Sequence, residues 1–485
     1  MSDIAAINTA LSGLYAAQDG LDTTGNNIAN ANTPGYTRQR VDQTAAGGSI
    51  VTGTYATNNG IGTGVSITGI ERVSDGYLEA RSLAGHATTS NLTQTQTILN
   101  EAQLGFAEPG ANGLSAQLQN FWSAWDNLAN NPTDSGVRTA LLGSASNLSA
   151  ALNQAASGVA STRTSASAQA MTDISTINTD LAQVAAMNKT IAGETLNGRA
   201  PNDLIDQRNS LVDSLAQLAG VTTQAGANGT VNVFMGGDTL VQGGLAQSLY
   251  APPPSSTTTG NVTLTVGANG PATTAGGTLG ALVAAVNTTL PNLLSGPGGL
   301  DGVANALAKA VNTAQANGVY WTQTAGSNPP TYSWTAGPPM FTDAGTGSST
   351  VTTAATIGIN PSLTASQIAA SAPPPAGTTS PTSSGQGDGS NAQIIAELAN
   401  STTGPDSVYH SFIGSLGNQV SQLNTQVSVQ TQVSLQVDQS KSSVEGVNLD
   451  QEMTQMLQYQ QAYAASAKYL NAVNQTIQTL LAAVQ

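Results

Sequence analysis

Residues 446–485, GVNLDQEMTQMLQYQQAYAASAKYLNAVNQTIQTLLAAVQ, constrain the fold more tightly than any other stretch of this chain. Alternate steps of four and three from Leu449 reach Met453, Met456, Gln460, Tyr463, Ala467, Leu470, Asn474, Ile477 and Leu481, and eight of these ten positions are apolar. With 39% hydrophobic residues in the whole chain, about four would fall there by chance, so the spacing predicts one long helix with a single apolar seam. Gly446 breaks what precedes it, Asn448 caps, Gln451 stands at capping-box distance, and Asp450 and Glu452 favour the positive end of the dipole. From Met453 onward the only charged residue is Lys468. A solvated helix normally spreads Lys and Glu over its outer face, so a coat of Gln, Asn, Ala, Ser and Thr predicts that this face also packs against protein, as in a polymer.

The opening of the chain mirrors its end. Ile4, Ile7, Leu11, Leu14, Gln18, Leu21, Gly25 and Ile28 step by three and four with six of eight apolar, and the helix is expected to stop in the Asn-rich run before Pro34. Two low-charge helices with one stripe each are economical partners, because each buried Leu, Ile or Met contributes about 1.5–3 kcal/mol only if something covers it. A pair this thin has no globular core, so it is expected to be loosely ordered in a free subunit and fixed on assembly. The expected subunit and assembly interface is therefore Ile4, Ile7, Leu11, Leu14, Leu21, Ile28, Leu449, Met453, Met456, Tyr463, Leu470, Ile477 and Leu481.

The 12 basic and 27 acidic residues give a net charge of −15, and only Lys309, Lys441 and Lys468 among the basic ones lie beyond Arg208. Nucleic acid and anionic membrane surfaces both demand clustered Lys and Arg, so neither is an expected partner. Without cysteine there are no disulfides, thiolate metal sites or thiol nucleophiles. The first Lys or Arg is Arg38, so a cleaved secretory signal is not expected, and no apolar run reaches the ~18 residues of a membrane span.

Between the ends, Val41 to Ile70 reads as an extended segment with one or two strands. A helical block then runs from about Val73 to Gly220. Leu114, Leu118, Phe121, Trp125 and Leu128 form one stripe, Val137, Leu141, Leu148 and Leu152 another, Ile174, Ile177, Leu181 and Val184 a third, and Leu204, Arg208, Leu211, Leu215 and Leu218 a fourth. Short Asn, Gly or Pro turns between them predict an antiparallel bundle. Phe121 and Trp125 belong to its core, whereas Trp122, off the stripe, is free to face a neighbouring subunit. Residues 221–266 turn to strands, and helices resume at about 278–294, 300–317, 391–399 and 409–444. The Pro, Gly, Ser and Thr of 318–389 predict surface loops. The fold class is mainly α with a minor β part, elongated. A coiled-coil-like inner unit (1–40 and 445–485) joins an antiparallel bundle (41–317 and 390–444), with 318–389 as a loop insertion.

Catalytic patterns are missing. His86 and His410, the only histidines, have no carboxylate or serine signature beside them in sequence and read as surface residues. GIGTGV at 60–65 has Val65 where a dinucleotide loop needs its last Gly, and no helical pattern follows. GDGSN at 387–391 lacks the remaining carboxylates of a calcium loop. Asp203 and Asp206, near Arg208, read as a solvated or ion-paired helix face. No catalytic, cofactor or metal residues are expected.

ANANTPGYTRQ at 29–39 resembles the N-terminal motif of bacterial flagellar axial proteins, whose rod, hook and hook-associated members open with an amphipathic helix, and residues 446–470 resemble their C-terminal motif. GYTRQ at 35–39, NDLIDQRNSLVDSLAQL at 202–218 and GDGSNAQIIAELANS at 387–401 are similar to the hook-associated members that build the hook–filament junction. The resemblance leaves residues 318–386 uncovered. It implies a non-enzymatic assembly subunit, with its terminal helices in an inner tube and its bundle in the next layer. It also implies a homo-oligomeric tier between the hook protein and a second hook-filament junction protein. Export, unfolded and uncleaved, would use the flagellar type III apparatus with an export chaperone and lead to an extracellular position. The alternatives are a hook or rod protein and, from another class, a secreted adhesin or hydrolase using 318–386 on a flagellar scaffold.

Overall fold

A computed structural model of the chain describes residues 3–47, 62–251, 260–296, 298–379 and 384–483. Helices hold 62% of the residues and strands 12%, so the fold is mainly α with small antiparallel sheets. Helix α1 (Asp3–Ala29) leads to the antiparallel pair β1 (Gln39–Ala45) and β2 (Val65–Arg72), whose register shifts between Asp42 and Gln43. Helices α2 (Gly76–Leu104), α3 (Leu114–Asn130), α4 (Ser135–Leu196) and α5 (Asn202–Ala219) follow. Asp75 caps α2 by accepting from the N–H groups of Tyr77 and Leu78, and Asp134 caps α4 through Gly136 and Val137. α5 stops at Gly220, left-handed at φ 67°, where a Cβ would lie 2.5 Å from the Cα of Gly276. No residue with a side chain fits that close backbone approach.

Next come a four-stranded sheet of β3 (Thr222–Ala225), β4 (Val231–Met235), β5 (Asp238–Gln242) and β6 (Leu245–Ala246), and a three-stranded one of β7 (Leu249–Tyr250), β8 (Leu264–Val266) and β9 (Ala272–Thr273). α6 (Gly277–Ala284) passes through one π turn into α7 (Leu290–Ser295), and α8 (Leu300–Asn317) follows. The chain then makes two antiparallel pairs, β10 (Val319–Gln323) with β11 (Tyr332–Ala336) and β12 (Phe341–Asp343) with β13 (Ile357–Ile359). It ends in α9 (Ser390–Ala396), α10 (Pro405–Glu445) and α11 (Leu449–Ala483). α3 packs on α4, α10 on α2, and α5 against both α2 and α4, around one continuous core that includes Leu118, Phe121, Trp125, Leu148 and Leu181.

Three expectations need correction. The second and third stripes belong to a single 62-residue helix, α4, because Ala155, Ala156, Val159, Thr162, Ala166 and Ala170 carry the buried face across the gap between the leucines. A run of small residues weakens the apolar periodicity without breaking the helix. Residues 318–389 are more than surface loops: besides two strand pairs they bury Met340, Phe341, Val351, Ala354, Ile357 and Ile368 in the main core. Trp122 does not face outward; it is buried and its indole N–H donates to Asp406 Oδ2 at 2.7 Å.

A device with no signature in hydrophobic pattern ties the extended segments to the helices. Asn27 on α1 donates its amide to the carbonyl of Gln39 and accepts from the N–H of the same residue. Asn178 on α4 does the same to Leu249, Asn188 to Val231, Asn287 in the π turn to Val262, and Asn312 on α8 to Phe341. Each amide supplies the donor and acceptor that a neighbouring strand would offer, so short strands are satisfied without a large sheet.

Candidate assembly site at the paired chain termini

α1 and α11 lie antiparallel along one another, as the twin amphipathic ends require. Three contacts fix the register. A Cβ on Gly13 would lie 2.9 Å from Ser466 Oγ, one on Gly20 would lie 2.5 Å from ring carbons of Tyr459, and Asn27 Nδ2 donates to Glu452 Oε2 at 3.0 Å. Each seven-residue step along α1 thus meets a seven-residue step back along α11, the period of a coiled coil.

The seam is not the one predicted from the leucines. On α1 the buried row is Ala6, Ala10, Ala17, Gly20, Thr24 and Asn27, with Gly13 half-buried among them, one residue out of phase with Ile7, Leu11, Leu14, Leu21 and Ile28. Those five are only half-buried, and the side chain of Ile4 lies outside the described residues. On α11 the row is Glu452, Met456, Tyr459, Ser466, Leu470, Val473 and Ile477, so Met456, Leu470 and Ile477 of the expected seam lie half-buried along it. Leu449, Met453, Tyr463 and Leu481 instead lie exposed, Met453 at 58% and Leu481 at 64%. The reason is steric: Gly and Ala let the backbones approach closely enough for the Tyr459 ring to lie across α1, which a Leu seam would prevent. Within one subunit the large apolar side chains of α1 are therefore only partly covered, and several on α11 are left exposed.

A polar knot joins this helix pair to the body, and three of the motif stretches converge in it. Glu452 is fully buried and accepts from Arg38 Nε at 2.7 Å as well as from Asn27. Asn27 Oδ1 also accepts from the Tyr36 hydroxyl at 2.8 Å. Burial, with the negative charges of Asp203, Asp206 and Glu452, pushes the Tyr36 phenol up to about 12, so it stays a donor. Asp206 binds Arg72 Nε at 2.7 Å and the N–H of Thr37 at 3.0 Å, so of the two alternatives Asp206 takes the ion-paired one, with Arg72 as partner. Arg208 instead donates to the Gly229 carbonyl at 2.6 Å, and burial holds its pKa down to about 10. Asn202 donates to the Ile70 carbonyl and to Gln39 Oε1. Arg38 N–H donates to the Glu445 carbonyl, and the Glu445 carboxylate accepts from Asp75 N–H at 2.9 Å. Asn448 caps α11 through Asp450 and Gln451 as predicted. Beside the knot lies an open cleft of about 510 Å³ walled by Pro34, Tyr36, Met187, Asp203 and Leu211. Hydrophobic periodicity does not single out Tyr36, Arg38 or Glu445; the available signals are the GYTRQ motif at 35–39 and an acid, Glu452, adjoining the apolar stripe.

His86 also needs correction. It is not a free surface residue: Nδ1 lies 2.5 Å from Asp213 on α5 and Nε2 3.0 Å from Asp438 on α10, which raises its pKa to about 9. The nearby Ser82 hydroxyl donates to Asp438 and not to the imidazole, so the group is an ion-paired brace and no nucleophile is aligned on it. Among the described residues no cluster of three or more His, Asp or Glu is arranged to hold a metal, and no helix is long and apolar enough to cross a membrane.

Comparison with known proteins assigns this architecture. Residues 99–328 match the family model "Flagellar hook-associated protein FlgK helical domain", residues 7–37 the flagella basal body rod protein model, and residues 439–483 the flagellar basal body rod FlgEFG protein C-terminal model. Flagellar hook-associated protein 1 of Salmonella typhimurium is 27% identical over 98% of this chain and 99% of its own. Its Bacillus subtilis counterpart is 26% identical over 99% and 98%, and the one from Escherichia coli 31% identical over 54% of this chain and 48% of its own. The solved flagellar hook junction protein FlgK from Burkholderia pseudomallei shares the fold, with a TM-score of 0.59 and 19% identity, covering 75% of this chain and 100% of that one. With end-to-end relatives from two distant bacteria, a matching helical domain and the matching fold, the chain belongs to the flagellar hook-associated protein 1 family.

Proposed function

We propose that the chain is a structural subunit of the bacterial flagellum that forms the junction between hook and filament and is needed for filament growth on the hook. The observation that carries this reading is the helix pair itself. Its contact face is built from Ala, Gly and Thr, while Leu449, Met453, Leu457, Leu480 and Leu481 stay exposed on α11. A row of large apolar side chains on a two-helix arm is costly unless neighbouring subunits cover it. In this reading the two stripes form the assembly interface, 1–40 with 445–485 are the inner unit, and copies sit side by side in a tier between the hook protein and a second junction protein. The subunit leaves the cell through the flagellar export apparatus with a chaperone on α11, and performs no catalysis.

A strain lacking the gene is expected to make hooks without filaments, restored by the wild-type gene. Met453→Asp places a carboxylate on the exposed stripe near the N-terminal end of α11, where the dipole tolerates it. The free subunit should melt as the wild type does, while filament growth is lost because a covered interface leaves that charge unpaired. Normal filaments with Met453→Asp would remove the stripe from the interface, and filaments in the deletion strain would remove the function.

A further inference from the structure

We infer that the groove between α3 and α4 receives the open edge of β11 from a second copy of this chain, so that copies join head to tail through an amide-to-main-chain contact. The inference rests on the reading that copies lie side by side. The groove, of about 470 Å³, has a floor of small residues including Ala124 and Ala140 and walls that carry Asn120, Asn127 and Asn147. These three side chains are exposed and make no hydrogen bond among the described residues. No residue lining the groove is charged.

Five helical amides elsewhere among the described residues show how such a side chain holds extended main chain. Asn27, Asn178, Asn188, Asn287 and Asn312 each hold both the N–H and the C=O of one residue beside or within a strand, at 2.7–3.1 Å. A row of unoccupied asparagines on helices is thus a receptor for extended main chain. The same molecule carries a matching ligand. β11 pairs with β10 on one edge only, and no other strand pairs with it among the described residues. With Thr324 bonded to Thr331 and Gly337 to Gly318, the alternation of an antiparallel ladder turns the main-chain groups of Tyr332, Trp334 and Ala336 outward. Such an edge is normally blunted by charge or proline, yet Tyr332–Ala336 reads YSWTA and has neither. Charge favours this pairing too. Two copies at −15 each repel wherever acids face acids, whereas the groove and the whole hairpin from Val319 to Ala336 are uncharged. Because groove and edge are different surfaces, the contact is heterologous and repeats from one copy to the next.

The chain has no cysteine, so introduced ones report unambiguously. Ser123, on the groove, and Thr335 are both exposed, and Ser123→Cys and Thr335→Cys spare the core and the three groove amides. In a deletion strain where the wild-type gene restores filaments, isolated hook–filament particles carrying Ser123→Cys/Thr335→Cys are treated with a short bis-maleimide. The expected result is a ladder of dimers and higher multiples, and none from either single variant. Filaments without a ladder, or dimers from one cysteine alone, would overturn the inference and leave the junction function standing. Failure of the wild-type gene to restore filaments would overturn both. If the double variant supports no filaments, cells making the two single variants together give the same reading: cross-linked heterodimers support the contact, and their absence refutes it.

Discussion

Glu452→Ala tests the knot that joins the paired ends to the body. The wild-type carboxylate is fully buried and accepts from Arg38 Nε at 2.7 Å and Asn27 Nδ2 at 3.0 Å. Removing one partner of a buried pair costs about 3–5 kcal/mol, since the other charge stays desolvated. Arg38 retains 20% side-chain exposure, so water takes back part of that charge, and the low end, about 3 kcal/mol, applies. Asn27 keeps its bonds to Gln39 and spreads no loss into the body. The cost falls on local opening of the pair, where about 3 kcal/mol corresponds to a ~100-fold loss of amide protection. Native-state hydrogen exchange should show that loss at residues 20–28 of α1 and 452–460 of α11, with α3 and α4 unchanged. Met453→Ala, at an exposed neighbour, is the control and should change neither. Equal loss of protection in α4, or none at the ends, would refute the assignment of Glu452 as the anchor of the pair.

Other outcomes follow from the same geometry. Asn188 is fully buried, and Asn188→Leu strands the main-chain groups of Val231 and the Gly243 carbonyl, at about 1–3 kcal/mol per unsatisfied group; thermal unfolding should shift down by several degrees. The His86 pKa is raised from 6.5 to about 9 by its carboxylates, so its stabilisation is complete below about 6.5 and is lost as pH rises through about 9. Urea midpoints of wild type and His86→Gln should therefore differ at pH 6 and converge by pH 10, with filament growth intact at neutral pH. Trp122→Phe removes the donor to half-buried Asp406, whose pKa burial already raises, and should lower unfolding stability by about 1 kcal/mol without affecting filament growth.

The terminal pairing was legible because a four-three repeat over many turns admits little except a long helix seeking a partner. The phase of the contact was not. Leucines mark where burial is most valuable, but Ala, Gly and Thr mark where two backbones come closest, and α1 buries the second row against α11 and leaves the first half-buried. In α4 the same small residues hid the continuity of one helix. Phe341 and Ile357 show why 318–389 reads as loop: a few apolar residues among Pro, Gly and Ser suffice when α8 and α4 supply the other wall and Asn312 and Asn153 the hydrogen bonds. A single asparagine on a helix has no periodicity to detect. His86 and Glu452 likewise gain their meaning only from Asp213, Asp438 and Arg38, all distant in sequence.

The bond between Asn27 and Glu452 spans 425 residues of sequence, which makes the helix pair the most expensive loop in the molecule to close and suggests an order of folding. Once the Arg38–Glu445 main-chain bond of the knot has formed, only about 18 residues of free chain separate Asn27 from Glu452, and logarithmic scaling puts the closure entropy about 3 kcal/mol lower than for the open chain. The body thus acts as a template: it carries the entropy of bringing the two ends together, and the terminal helices then zip as a near-local hairpin. A subunit arriving with its body unfolded would have to meet that cost in one step, so pairing of the ends reports that the rest of the chain has already folded.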